Sequence, residues 1–444
     1  MDVATNKLAS IKDCDVLVIG GGPAGSTAAT LLAQKGYQVT LIEKEAHPRF
    51  HIGESLLPAN LPLFEKLGVA DEIKSIGTMK WAAEFESIYH NRTEVFEFTE
   101  AWDKSMPHSY EVERAVFDEI LIRNAERKGA NVIERCRVSD VFFPEDDDSV
   151  VVETKYDDGR EQTWSTRFLL DASGRDTFLG NKFKTKKKNK KHNSTAVYGH
   201  FTGARRNEGK NQGNITISWF EHGWLWFIPL SNGKTSVGAV AWPYYLKTRK
   251  KPLSEFLMDT IALCPPLMDR LRDAKLVSDV TATGNYSYIC DRTYGQKYLL
   301  LGDAFAFIDP VFSSGVMLAM NSAFVGAETV DVCLSQPKRA ASALKSFDKQ
   351  MRVGPKEYSW FIYRVTSPTL RAFFMNPRDL FRMKQAVLSV MAGDLFGKTP
   401  IWFSLFLFKS MYFGVSIFNL PRTIKAWRAR RQNIRNVNID GISI

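Results

Sequence analysis

Between Asp15 and Lys44 the rhythm of apolar and polar positions changes three times. Val16-Leu17-Val18-Ile19 is an unbroken apolar run, the pattern of a strand buried on both faces. It ends in Gly20-x-Gly22-x-x-Gly25, after which Ala28, Leu31 and Leu32 recur at helical spacing. A second apolar run, 39–42, stops at Glu43-Lys44. The order predicts strand, glycine turn, helix and second strand. Each part has a physical job in binding a dinucleotide: Gly20 permits the tight turn, Gly22 lets backbone N–H groups approach a pyrophosphate at the helix start, Gly25 lets helix and strand pack closely, and Glu43 reaches a ribose hydroxyl.

Further along, 45–62 is rich in Pro and His and contains Arg49 and Gly53-Glu54-Ser55. It reads as a loop returning over the cofactor, or as a plain connection, before a helix ending near Leu67. Residues 77–85 read as a strand that carries Lys80 among apolar groups, where a lysine either snorkels to solvent or serves a pocket. In 109–128 a long amphipathic helix starts near Arg114, which would face the cofactor cleft. Strand-like runs follow at 135–143, 150–154 and 167–171. From 194 to 241 the pattern becomes alternation broken by glycines, the mark of an antiparallel sheet. Alternation puts Trp224, Trp226 and Ile228 on one face, and two indoles side by side are also ordinary core residues. A last buried strand, 298–301, runs into Gly302-Asp303-Ala304 and then Asp309-Pro310-Val311-Phe312-Ser313-Ser314-Gly315-Val316 before a helix. An acid at a strand end beside free N–H groups at a helix start makes a polar cradle for a ribityl chain and a small anion. The fold class expected is α/β (α+β): a Rossmann-like dinucleotide-binding domain at 1–193, rejoined by 280–335, an inserted antiparallel sheet at 194–279, and a helical region at 336–444.

Composition changes this picture in three places. With 444 residues, 44% apolar, the chain can bury a large core. Its five scattered cysteines have the pattern of reduced, buried thiols and the first fourteen residues contain no apolar signal region, so a cytoplasmic protein is expected. The net charge of +10 sits in two segments, seven lysines within 182–191 and six basic residues within 421–435, neither containing an acid. The lysine run reads as a solvated, mobile loop, or as a docking surface for an acidic carrier protein or anionic lipid. No nucleic-acid partner is expected, because the run lacks interleaved aromatics and any binding motif. Residues 401–420 are apolar apart from Lys409, three serines and Asn419. They read as a helix packed on the enzyme; membrane-surface contact through 401–435, at the inner face of the membrane, and a true span are the other readings.

Taken together these motifs resemble the flavin-dependent halogenases, which share the fold of the FAD-dependent aromatic hydroxylases. Lys80 together with Trp224-x-Trp226-x-Ile228-Pro229 is the specific part of the likeness. The resemblance implies an oxidoreductase using FAD as FADH2, O2 and chloride or bromide to make hypohalous acid, which halogenates an electron-rich aromatic. It makes the domain at 1–193 and 280–335 an FAD-binding domain and the inserted sheet at 194–279 the substrate region. It implies FAD contacts from Gly20, Gly22, Ala24, Gly25, Glu43, Lys44, Arg49, Arg114, Val138, Asp303 and Val316, and a halide site on the backbone N–H groups of Ser314 and Gly315. Trp224 and Trp226 would wall substrate from flavin, and Lys80 would deliver the halogen. Tryptophan halogenases place a glutamate two residues before the halide pair, where this chain has Phe312, so the pattern resembles the branch acting on phenols or pyrroles, often carried on an acidic carrier protein. With one nucleotide fingerprint, no NAD(P)H site is expected and a separate flavin reductase would supply FADH2. No metal site is expected from the cysteine and histidine spacing. Two rival readings stay open: an FAD-dependent aromatic hydroxylase, and a membrane-associated flavin reductase of lipid-like chains.

Overall fold

The structure is a computed structural model that describes residues 11–145, 148–284 and 287–435. The strand Lys12–Ile19 forms the centre of a largely parallel sheet, with Val39–Ile42 on one side and Glu161–Asp171 on the other. Asn131–Ile133 extends the sheet beyond Val39–Ile42, and Tyr298–Leu300 extends it beyond Glu161–Asp171. Val16, Leu17 and Val18 are fully buried, as a strand covered on both faces requires. The helix Pro23–Gln34 packs on this sheet, and the long helix Gly315–Ser335 packs against it in turn. Close approach there depends on small residues: a Cβ on Gly25 would lie 1.9 Å from the Gly20 carbonyl oxygen.

The second sheet runs in the order Lys275–Leu276, Thr195–Thr202, Lys234–Ala241, Gly223–Pro229, Ile215–Phe220, Ala82–Ser87, Arg92–Glu97. Its pairings are antiparallel except that of Ile215–Phe220 with Ala82–Ser87. The sheet is therefore not confined to 194–279; two of its strands come from before residue 193. Gly238 lies opposite Trp226, and a Cβ there would fall 2.4 Å from the indole, so a glycine makes room for the ring.

Two expected elements are divided. The run 77–85 is two strands, Thr78–Lys80 and Ala82–Ser87, that join different sheets. The helix begins at Arg114, while Ser109–Glu111 is a strand paired with Thr78–Lys80. The extended backbone at Glu113, φ −70° and ψ 116°, marks the change. The lysine run is also partly ordered: Lys186–Lys188 pairs with Tyr288–Cys290, and Lys186 lies 4.1 Å from the Tyr288 ring centroid. The described residues after 336 are largely helical and share a core with the second sheet, Trp224, Trp226 and Ile228 belonging to one hydrophobic cluster with Tyr358, Phe361 and Phe408. Gly315–Ser335 is long and apolar enough to cross a membrane, but more than half of that apolar stretch is buried in the protein. Trp402–Phe418 and Leu420–Arg435 form an elbow with a bend of 104°.

Candidate active site

A cavity of about 880 Å3 opens at the carboxyl ends of the parallel strands, where this class of sheet binds nucleotides. Gly20, at φ +99°, turns the chain there; Gly22 caps the helix Pro23–Gln34 with an extended conformation, so the first N–H groups of that helix have no acceptor within it. Ala24, Lys44, Val138, Asp303 and Val316 line the cavity. Gly25 lies behind the turn.

Glu43 also lines the cavity, yet its carboxylate is engaged. Oε2 accepts the Gly21 N–H at 2.6 Å and Oε1 accepts the Glu45 N–H at 2.9 Å. Its visible work is to hold the glycine turn. Lys44 Nζ lies 2.5 Å from Asp176. Arg114 grips Asp118 at 2.9 and 3.1 Å and donates to the carbonyls of Ile52 and Gly53 at 3.2 and 3.3 Å, which ties the 45–62 loop over the cavity. Arg49 reaches the same Asp118 at 3.3 Å. Arg114 and burial together push His51 down to about 4, so its imidazole is neutral at the cavity wall. Burial pushes the Asp303 carboxyl up to about 7 against the opposing pull of Arg114 and Arg175. An enclosed acid near neutrality suits hydrogen bonding to a hydroxyl-rich chain better than binding a cation. Volume, glycine turn and this acid together fit FAD.

The polar cluster at the far wall is the less expected part. Lys80 is 1% exposed. Its Nζ donates to Ser55 Oγ at 2.9 Å and to the Leu56 carbonyl, and lies 3.7 Å from Glu111 Oε1 and 5.6 Å from the Phe98 ring centroid. Ser55 donates to the same Glu111 oxygen at 3.2 Å, while Glu111 Oε2 is buried without a hydrogen-bond partner among the described residues. Burial lowers Lys80 and raises Glu111 to about 8, each opposed by the other's charge. Ser55 and Glu54 line the cavity; Lys80 does not, and stands one side chain behind the Ser55 hydroxyl. Glu54 Oε1 lies 2.7 Å from His200 Nε2, and its other oxygen has no partner among the described residues.

Trp224, Trp226 and Ile228 line the same cavity. The two indoles are 6.0 Å apart and inclined at 48°, and Trp226 Nε1 donates to Ser236 at 3.1 Å. At the mouth of the helix Gly315–Ser335, Gly315 lines the cavity and a Cβ on it would meet nothing within 4 Å. Ser314 is the N-cap and is buried, after a left-handed Ser313 at φ +54°. Asp309 fixes this turn by accepting from Ser194 at 3.0 Å and from the Val311 N–H at 3.2 Å, with His192 at 2.9 Å. Phe312 turns into the helical region, 5.7 Å from Phe361. Among the described residues no group of three or more His, Cys, Asp or Glu could hold a metal ion.

Sequence reasoning singled out Lys80 and the tryptophans but missed Glu111, Ser55 and His200 as one cluster. The Gly53-Glu54-Ser55 motif was visible; Glu111 had no signal, because only strand pairing brings it to Lys80.

Residues 13–336 match the family model described as FAD binding domain. Over 407 residues the chain is 31% identical to a tryptophan 2-halogenase of Chondromyces crocatus, covering 85% of this chain and 75% of the relative. It is 34% identical to a flavin-dependent halogenase of Penicillium aethiopicum, covering 80% and 70%, and 29% identical to a 1H-pyrrole-2-carbonyl-[peptidyl-carrier protein] chlorinase of Pseudomonas fluorescens, covering 86% and 90%. Among solved structures, a flavoprotein/dehydrogenase from Cytophaga hutchinsonii superposes with a TM-score of 0.83 at 28% identity, covering 92% of this chain and 100% of that one. The myxobacterial chondrochloren halogenase superposes with a TM-score of 0.75 at 32% identity, covering 88% and 92%.

Proposed function

The chain belongs to the flavin-dependent halogenases built on the FAD-binding domain, and from that premise we propose that it halogenates a phenol or pyrrole through Lys80. FAD is the cofactor and a halide the co-substrate. As FADH2 it supplies, with O2, the oxidising equivalent that converts halide to hypohalous acid.

The chain's own groups do the rest. The N–H groups at the start of Pro23–Gln34 take the pyrophosphate, with Glu43 keeping the turn in shape. Asp303 donates or accepts at the ribityl hydroxyls. The N–H groups of Ser314 and Gly315 hold the halide, since a helix start offers partial positive charge without a competing carboxylate. Trp224 and Trp226 keep the aromatic substrate off the flavin. Hypohalous acid passes them to the Ser55 hydroxyl, which leaves Lys80 Nζ as it turns. The neutral amine, favoured by burial, takes the halogen and releases water, forming an N–X bond at the expense of the O–X and one N–H bond. The haloamine then transfers X+ to the ring carbon, which loses its proton. Phe312 puts no carboxylate beside the halide, so a ring whose own oxygen or nitrogen supports the cation suits this site. A separate reductase supplies FADH2. The exposed lysines around 187–191 would receive an acidic carrier protein that bears the substrate.

The observation that carries this reading is the buried Lys80, one hydroxyl away from a cavity that both indoles line. The test is incubation with a flavin reductase, bromide and a panel of free and carrier-bound phenols and pyrroles. A brominated product supports it; a hydroxylated product formed equally without halide contradicts it.

A further inference from the structure

The helix Trp402–Phe418 packs with only one side. Leu405, Phe408 and Tyr412 are buried in the core shared with the second sheet, and Ser416 is buried on the same side, at spacings of three and four. On the opposite side Phe403, Phe406, Phe413 and Ile417 are all exposed, with Ser410 between Phe406 and Phe413 as the one polar member of the row, and Phe418 at the elbow is 90% exposed. By helix rise this stripe runs for about 22 Å. Past the bend, Leu420–Arg435 carries a second exposed apolar row, Leu420, Ile424 and Trp427, at spacings of four and three. Its other side is fastened down: Arg430 donates to the Lys191 carbonyl at 2.8 Å and stacks 5.3 Å from the Trp242 ring centroid. An apolar face of this length, aromatic and left open on an anchored elbow, is not explained by packing.

Charge says what covers it. No acid occurs anywhere from 398 to 435. Arg428 and Arg431 are exposed beside this row on the second arm, Arg431 lying 5.2 Å from the Trp427 ring centroid, and the Arg430 contact brings the end of the lysine run against the same arm. Two copies meeting through this face would press these cations together, since a two-fold interface sets each patch against itself. An anionic bilayer instead takes apolar side chains into its acyl boundary and the cations at its head groups. Exposed Trp402 and Trp427 suit that boundary, having an apolar body and one polar N–H.

We infer that the elbow Trp402–Phe418/Leu420–Arg435 is a peripheral membrane anchor that lays its outer stripe on an anionic lipid surface. It lies on the bilayer without crossing it, because the inner side of the first arm belongs to the protein core. The inference stands independently of the halogenation chemistry.

The test uses the full FAD-loaded chain and vesicles of phosphatidylcholine with or without phosphatidylglycerol. Flotation is expected with the anionic vesicles, weakening as salt rises, together with a blue shift of tryptophan emission. The double variant Phe413→Glu/Phe418→Glu should lose binding by about ten-fold or more, and Arg428→Glu/Arg431→Glu should lose the preference for phosphatidylglycerol. Both change exposed side chains, and an unchanged melting temperature and FAD content verify folding. Absence of flotation with anionic vesicles, or flotation indifferent to both variants, overturns the inference. So does a lipid-free dimer that Phe413→Glu/Phe418→Glu dissociates, which would make the stripe a self-association face.

Discussion

The amine of Lys80 and the carboxyl of Glu111 lie 3.7 Å apart in a site closed to solvent, joined by the Ser55 hydroxyl that hydrogen-bonds to both. Burial drives each toward its neutral form, and each charge favours the other's ionised form. In the proposed reaction the pair sets when the nitrogen is a nucleophile.

Glu111→Gln removes the carboxylate that favours the ammonium, so the acid limb of the halogenation pH profile should move to lower pH. A residue that only shapes the wall would lower the rate equally at every pH. The profile of turnover against pH, measured at saturating FADH2 and halide, distinguishes the two.

Two buried carboxyls should each add stability to the FAD-free protein that is lost as pH rises. Asp303 and Glu111 have folded-state values raised to about 7 and about 8, above the ordinary 3.8 and 4.5. At these two carboxyls the folded chain binds more protons than the unfolded one between roughly pH 4 and 8, and the stability they confer is full below that window and lost through it, while His51, held down to about 4, contributes in the opposite sense below about 6.5. Melting temperatures across the window, compared between wild type and variants, isolate these two contributions. Asp303→Asn should flatten the lower part of their decline and Glu111→Gln the upper part.

Gly238→Ala places a methyl where the Trp226 indole now sits, 2.4 Å from its nearest ring carbon. Displacing the ring should cost about 1–3 kcal/mol and lower halogenation more than flavin oxidation. Chemical denaturation and a comparison of the two rates measure both effects.

Glu43→Ala leaves the buried Gly21 N–H without its acceptor, a cost of about 1–3 kcal/mol. FAD affinity should fall roughly ten-fold or more for an effect of that size, by fluorescence titration. Glu43→Gln, which keeps an acceptor, should recover much of the loss.

The nucleotide half of the site was legible because its signals are local. A glycine turn, a strand and a terminal acid lie within one βαβ unit, and Val16–Ile42 folds accordingly. Even there Glu43 was read by analogy as a ribose ligand, while its nearest partners are backbone N–H groups. The Lys80 cluster was only half legible. Lys80 stood out as a charge among apolar residues, but Glu111 comes to it through a strand pairing 31 residues away, at the head of what periodicity read as a helix. The sheet boundary failed for the same reason: Ala82–Ser87 and Arg92–Glu97 carry no mark of the distant strands they join. At 401–420 composition alone left a span open, and only the burial of Leu405, Phe408 and Tyr412 against the core assigns that side to the protein.

The central claim is that oxidant made at the flavin is spent at Lys80. The most direct measurement compares wild type with Lys80→Ala under FADH2, O2, bromide and an accepted aromatic, following flavin oxidation, aryl bromide and free hypobromous acid together. The account predicts unchanged flavin oxidation, loss of aryl bromide by about a thousand-fold or more, as for removal of a group that carries the reacting atom, and hypobromous acid escaping to a scavenger. Aryl bromide formed by Lys80→Ala at the wild-type rate would contradict it.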